Sequence, residues 1–215
     1  MALKVNEIYY SIQGESSYSG YPCVFVRLTG CNLRCSYCDT KYAYHEGEKL
    51  EVTDILQMIK AYQCPLVEIT GGEPLIQADT PALIKILLDN GFNVLLETNG
   101  SQDISQVDGR CVKIVDIKCP GSGEADQNDL SNLNRLNEND ELKFVIGSRE
   151  DYEFALKFLG SPNFWPNTLK SIHFSPAFGI LKPIVLAQWI LADHLKVRLN
   201  LQLHKIIWSP EERGV

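Results

Sequence analysis

Seven short runs rich in β-branched and aromatic residues recur along the chain, each closed by a polar or glycine-containing turn: Val24–Leu28, Leu66–Thr70, Asn93–Glu97, Cys111–Asp116, Leu142–Ile146, Ser171–Phe174 and Arg198–Leu203. Segments of helical character lie between them, over Thr53–Tyr62, Pro81–Asn90, Asp151–Leu159 and Ile184–Leu195. This alternation predicts parallel βα units. Thr53 offers an N-cap with Ile55, Ile59 and Tyr62 sharing one face, while Pro81 suits a first turn and Gly91 a C-terminal cap. About six units fit an incomplete, open parallel βα barrel better than a closed one, since 215 residues fall short of the roughly 250 of an eight-fold barrel. One domain over residues 1–215 is expected. The polar stretch Gly121–Asn139 reads as an exposed insertion with one short helix around Leu130–Leu136.

In parallel βα architectures the C-terminal strand ends gather on one face, which carries the active site. Arg27 and a cysteine loop follow the first run, and Thr70-Gly71-Gly72-Glu73-Pro74 follows the second. Glu97-Thr98-Asn99-Gly100 ends the third and Asp116-Ile117-Lys118-Cys119-Pro120 the fourth. The topology brings the four together.

The loop Cys31-Asn32-Leu33-Arg34-Cys35-Ser36-Tyr37-Cys38 places three soft ligands in eight residues, suited to iron–sulfur or zinc ligation. Seven cysteines, an odd number, favour metal or redox chemistry over a disulfide framework. No fourth cysteine is near in sequence. If none of Cys23, Cys64, Cys111 or Cys119 is brought in, a cubane cluster keeps one iron open to substrate or cofactor. The competing reading is a zinc knuckle with His45 or Cys23 as fourth ligand.

The CX3CX2C spacing, with aromatic Tyr37 before the last cysteine, resembles the radical S-adenosylmethionine (SAM) superfamily, and Thr70–Pro74 resembles its SAM-binding motif. The resemblance implies that Cys31, Cys35 and Cys38 hold a [4Fe-4S] cluster whose open iron is chelated by SAM. It also implies an electron donor such as a flavodoxin or ferredoxin. The glycine pair would let backbone carbonyls approach the cofactor closely.

A narrower resemblance runs along nearly the whole chain. Ser11-Ile12-Gln13-Gly14-Glu15, Gly20-Tyr21-Pro22, Phe25-Val26-Arg27, Gly30-Cys31-Asn32 and Cys38-Asp39-Thr40 resemble the 7-carboxy-7-deazaguanine synthase family. That family contracts 6-carboxy-5,6,7,8-tetrahydropterin with loss of ammonia, a carbon–nitrogen lyase reaction on the route to queuosine and other 7-deazapurines. The resemblance places Ile12, Gln13, Gly14, Glu15, Arg27 and Thr70 against the pterin, and Thr40 against a Mg2+ that touches the substrate carboxylate. Against SAM it places Tyr37, Cys38, Asp39, Gly72 and the Asp116–Pro120 strand end; Thr98 and Asn99 could join through their side-chain oxygens. Chemistry agrees at two points: a pterin edge needs paired donors and acceptors, and a planar guanidinium pairs bidentately with a carboxylate. The competing roles are a surface salt bridge for Arg27, a turn cap for Thr40, and for Lys118 a surface pair with Asp116 in place of a SAM carboxylate. His173, His194 and His204 sit in apolar surroundings and are read as packing residues.

Two features depart from the family pattern or stand outside it. Ser16 and Ser17 stand where the family often has glycine, and Trp208–Val215 is a tail of a kind that in this family can approach the active site. The resemblance also implies a homodimer. The formal charge of -7 and the absence of a basic–aromatic run argue against direct nucleic-acid binding. Neither a signal peptide nor a membrane span is visible, and a cytoplasmic location is expected. The alternative enzyme is a glycyl-radical activating enzyme, which shares the cluster, the GGEP turn, the Thr-Asn-Gly turn and the Asp-Ile-Lys strand end but acts on a protein backbone. Gln13–Glu15 and Cys38–Thr40 discriminate, since they fit a small polar heterocycle and Mg2+. A zinc-stabilised binding module is the reading outside catalysis.

Overall fold

The computed structural model describes residues 1–161 and 169–215. Among these residues nine strands form one sheet: β1 (Ala2–Ile12), β2 (Pro22–Leu28), β3 (Glu48–Glu51), β4 (Leu66–Gly71), β5 (Asn93–Thr98), β6 (Val112–Ile117), β7 (Glu141–Ile146), β8 (Ser171–Pro176) and β9 (Arg198–Leu199). Their order is β3-β1-β2-β4-β5-β6-β7-β8-β9. From β2 to β9 every neighbouring pair is parallel, whereas β1 runs antiparallel to both β2 and β3. The two ends of the sheet are not paired to each other, so the barrel is open, as expected.

Helices α1 (Val52–Ala61), α2 (Thr80–Asp89), α3 (Arg149–Leu159), α4 (Pro183–Ala192) and the short α5 (His204–Ile207) cover part of it. The β5–β6 and β6–β7 connections carry only 3-10 turns, among them Leu130–Arg135 within the predicted polar insertion. Two apolar clusters fill the space beneath the helices. One joins β2, β4 and β5 to α1 and α2 through Ile55, Ile59, Leu83, Ile84 and Leu87; the other joins β7 and β8 to α3 and α4 through Phe144, Tyr152, Phe174 and Leu186. Each such side chain contributes about 1.5–3 kcal/mol by leaving water.

Two expectations are corrected, and two strands appear that the sequence did not announce. Thr53 is not the N-cap of α1: β3 runs straight into the helix, the cap position falls on Glu51, and no side chain caps it. The run Arg198–Leu203 is a strand for two residues only. From Asn200 the chain turns across the strand ends, and the Leu203 amide donates to the Gly14 carbonyl at 2.9 Å. Strands β1 and β3 were not foreseen, because β1 sets Tyr9 on the cavity wall and Glu7 against Arg27 and so lacks a clean apolar alternation. Gly91 ends α2 as expected: it has a φ of 85°, and the Phe92 amide reaches back to the Leu87 carbonyl.

Candidate active site

The C-terminal strand ends open into a cavity of about 700 Å3. Its walls include Ile12, Gln13, Glu15, Arg27, the three loop cysteines, Tyr37, Asp39, Thr40, Thr70, Gly72, Thr98, Asn99 and Lys118, so nearly every residue singled out in the sequence converges there.

At one end the cysteine loop crosses β4. Cys31, Cys35 and Cys38 are free and partly exposed, whereas Cys23, Cys64, Cys111 and Cys119 are buried in the two apolar clusters. Burial raises the thiol pKa of Cys31 and Cys35. Among the described residues no three His, Cys, Asp or Glu side chains close tightly enough around a point to hold a single ion. Cys23, one fourth ligand the zinc knuckle would need, is buried in the apolar core, while a cubane takes the three loop thiolates one to each of three irons. The donor set fits a [4Fe-4S] cluster with one iron left for another ligand.

The glycines of the GGEP turn also have a packing use that was not predicted. A Cβ on Gly72 would lie 2.2 Å from the Gly30 carbonyl oxygen and 2.7 Å from Cys31 Cβ, and one on Gly71 would lie 2.2 Å from the Leu28 carbonyl oxygen. Gly71 also has a φ of 145°, which side chains rarely adopt. The pair is small so that the cysteine loop can lie on it. Glu73, fully buried, then locks this turn to the next strand end: its carboxylate accepts from Thr98 Oγ1 at 2.9 Å, the Asn99 amide at 2.7 Å and the Leu75 amide at 3.0 Å. Burial raises its pKa against those hydrogen bonds. The Thr98 hydroxyl is thus committed to Glu73. Asn99 Nδ2 points at Cys31 Sγ, 3.8 Å away.

Lys118 pairs with Asp116 at 2.8 Å, each about a tenth exposed, so the pair is inside the cavity wall and not on the surface. Burial opposes the ammonium charge, but Asp116 holds its pKa above the usual lysine range. Tyr37 Oη and Asp116 Oδ1 are buried without hydrogen-bond partners among the described residues. Orphan polar atoms beside three thiols suit a polar cofactor such as SAM.

The other end is a charged network. Gln13 Nε2 donates to Glu68, and Gln13 Oε1 accepts from the Glu15 amide at 3.0 Å. Lys143 bridges Glu15, at 3.1 Å, and Glu97. Burial would raise the Glu15 pKa, but Lys143 and the hydrogen bond from Gln202 hold it below the usual range; Glu97 is raised by burial. Gln202 Nε2 reaches both Glu15 at 3.0 Å and Asp39 at 3.3 Å, and Lys205 pairs with Asp39. Asp39 is therefore bound to the C-terminal segment as well as facing the cavity. Glu68, Glu97, Lys143, Gln202 and Lys205 were not assigned roles from sequence; Glu97 opens the Glu97–Gly100 strand end, and the other four stand without a local motif.

Arg27 donates to Glu7 at 2.7 Å and to the Tyr9 hydroxyl at 2.8 Å, with Tyr9 and Tyr42 beside its guanidinium. It is 13% exposed, which corrects the surface salt bridge. Thr40 occupies the cap position of the turn Lys41–Tyr44 yet makes no side-chain cap bond; its backbone carbonyl accepts from Ala43, and its hydroxyl stands 3.8 Å from Cys38 Sγ. Ser16 has a φ of 62°, the left-handed conformation that explains why glycine is usual there. His204 is corrected from a plain packing residue: it lines the cavity and presses on Gly14, where an added Cβ would meet its Nδ1 at 2.2 Å. His173, 1% exposed, packs inside the sheet 2.8 Å from Glu141. The tail does approach the site, Pro210–Val215 forming part of the cavity wall.

Residues 25–109 match the radical SAM superfamily. A 7-carboxy-7-deazaguanine synthase of Koribacter versatilis is 45% identical over 99% of this chain and 100% of its own. Another, from Chlorobaculum tepidum, is 46% identical over 99% of this chain and 97% of its own. Among solved structures, QueE from Escherichia coli has 26% identity and a TM-score of 0.79, covering 95% of each chain. SuiB of Streptococcus suis bound to S-adenosylmethionine shares the fold alone, with 12% identity and a TM-score of 0.54 over 80% of this chain and 48% of its own.

Proposed function

The chain belongs to the 7-carboxy-7-deazaguanine synthase family of the radical SAM superfamily, and we propose that its cavity is divided into a cofactor end at the cysteine loop and a pterin end at Gln13–Glu15. It is a lyase that uses a [4Fe-4S] cluster, SAM and an external electron donor to convert 6-carboxy-5,6,7,8-tetrahydropterin into 7-carboxy-7-deazaguanine with release of ammonia. The relatives and the E. coli neighbour favour this activity over glycyl-radical activation. The observation that carries the division is that the thiol loop lies against the Gly71–Gly72 turn, whereas Gln13 and Glu15 join the Glu68 and Lys143 charge network, and both groups line one cavity.

When bound, the cluster and SAM would supply the radical chemistry for hydrogen abstraction at the pterin carbon bearing the carboxylate. Cys31, Cys35 and Cys38 hold the cluster, and Gly72 lets their loop sit against β4. Tyr37, Asp39, Asn99 and Lys118 surround SAM, Lys118 offering donors beyond its bond to Asp116. Ile12, Gln13, Gly14, Glu15 and Thr70 surround the pterin. Arg27, pinned by Glu7 and Tyr9, keeps further donors for the substrate carboxylate. The Thr40 hydroxyl, free of any capping duty, is available to a Mg2+ shared with that carboxylate. The same reading includes a homodimer acting in the cytoplasm.

Anaerobic reconstitution with iron and sulfide, then incubation with reductant, SAM, Mg2+ and carboxytetrahydropterin, is expected to yield the deazaguanine. An intact, SAM-cleaving cluster that makes no such product would reject the pterin assignment.

A further inference from the structure

Three buried carboxyl groups, Glu15, Glu68 and Glu97, gather near one ammonium, that of Lys143. Glu15 and Glu97 both reach Lys143, whereas Glu68, 3% exposed, pairs with no cation among the described residues. Among the described residues Gln13 Nε2 donates to Glu68 Oε2, which leaves Oε1 for the cavity that Glu68 lines. The charged and titratable groups around it are Glu97 on β5, Glu15 beyond β1, Lys143 on β7, Arg27 and Cys23 on β2, and Tyr9 on β1. Arg27 is already bound by Glu7, Lys118 by Asp116 and Lys205 by Asp39. Three buried negative charges beside one positive charge would be costly, so one carboxyl keeps its proton. Burial and then the neighbouring Glu97 raise the Glu68 pKa well above the ordinary carboxyl value.

We propose that Glu68 is a further catalytic residue, a neutral carboxylic acid that gives its proton to the nitrogen leaving as ammonia. The inference rests on the ring-contraction reading above. In the closing step the C–N bond breaks and its electron pair goes to nitrogen. The Glu68 proton completes neutral ammonia, and the resulting carboxylate takes the proton that the ring carbon loses as the five-membered ring becomes aromatic. Glu68 ends protonated, as it began, and no external acid or oxidant is consumed.

The test compares reconstituted wild-type enzyme with Glu68→Gln and Glu68→Asp, using substrate deuterated at the carbon bearing the carboxylate. Two outputs are read: deuterium passed to SAM or 5'-deoxyadenosine, and ammonia released. Glu68→Gln preserves shape and neutrality, so deuterium transfer should fall far less than ammonia release, which drops about 100-fold. Glu68→Asp should recover part of the loss. In the wild type, ammonia per deuterium transferred should fall as pH rises through the elevated pKa, and a protonated-carboxyl infrared band present at neutral pH should vanish in Glu68→Gln. Ammonia release within a few-fold of wild type, or parallel loss of both outputs, overturns the proposal while leaving the parent reading intact. A wild-type enzyme that cleaves SAM yet forms no deazaguanine overturns both.

Discussion

The two ends of the cavity are built on opposite plans. At the cofactor end, backbone lies on backbone: Gly71 and Gly72 admit Leu28, Gly30 and Cys31, and Glu73 ties two turns together largely through main-chain amides. At the pterin end, side chains from β4, β5, β7 and the segment after β9 meet in a buried charge network. The first plan fixes shape through steric contact. The second fixes charge, and its members depend on one another. A substitution at the first end should therefore act through geometry with little pH dependence, and one at the second through electrostatics with a strong one.

The comparison breaks most readily at Lys143. Lys143→Met leaves Glu15 and Glu97 without their shared cation, and a loss of about 3–5 kcal/mol in denaturant unfolding is expected. The sign follows from linkage. Carboxyls whose folded pKa is raised bind more protons folded than unfolded, so the deficit should be small near the unfolded carboxyl pKa of about 4.3 and grow as pH rises toward the elevated values. A deficit independent of pH would show that the network is not electrostatically coupled. Next comes Gly72→Ala, whose methyl must displace the Gly30 carbonyl: about 1–3 kcal/mol of destabilisation is expected, the same at pH 6 and pH 8, with lowered iron content after reconstitution. Normal iron loading would mean that the cysteine loop does not depend on this contact.

Glu73→Gln removes a buried carboxylate acceptor and should cost about 1.5–3 kcal/mol, read by thermal unfolding, and raise the KM for SAM more than that for the pterin. The smallest stability change is expected at Thr40→Ala, within about 0.5 kcal/mol, since the hydroxyl caps nothing. Its effect should fall on catalysis: iron content stays the same while the Mg2+ dependence of turnover weakens. Unchanged Mg2+ dependence would remove Thr40 from the metal site.

The same contrast explains what could be read from the residues alone. The cofactor end is spelled by consecutive letters, Cys31–Cys38, Thr70–Pro74 and Thr98–Gly100, because loops that grip a cofactor need several special conformations in a row. The pterin network contributes one residue per strand, and Glu68, Glu97 and Lys143 look like ordinary exposed positions until the sheet turns them inward. The parallel strands β2 and β4–β8 were legible from their apolar runs. Strand β1 was not, because it pairs on both sides while presenting polar groups to the cavity. The bend after Leu199 was also hidden: Asn200 and Leu203 continue an apolar-looking run, yet they leave the sheet to anchor Gly14 and Ser175. Glycine's meaning was only half legible, since Gly72 is needed by Gly30 and Cys31, which lie far from it in the sequence.

An open sheet has two rims, and unpaired rims invite strangers. Here one rim is the four-residue β3, whose Glu48, Lys49 and Glu51 put charge along most of its length, and the other is the two-residue β9, beginning with Arg198. Short, charged rims make poor templates for a neighbour's backbone. The barrel can therefore stay open wide enough to admit its reactants without growing, strand by strand, into an aggregate.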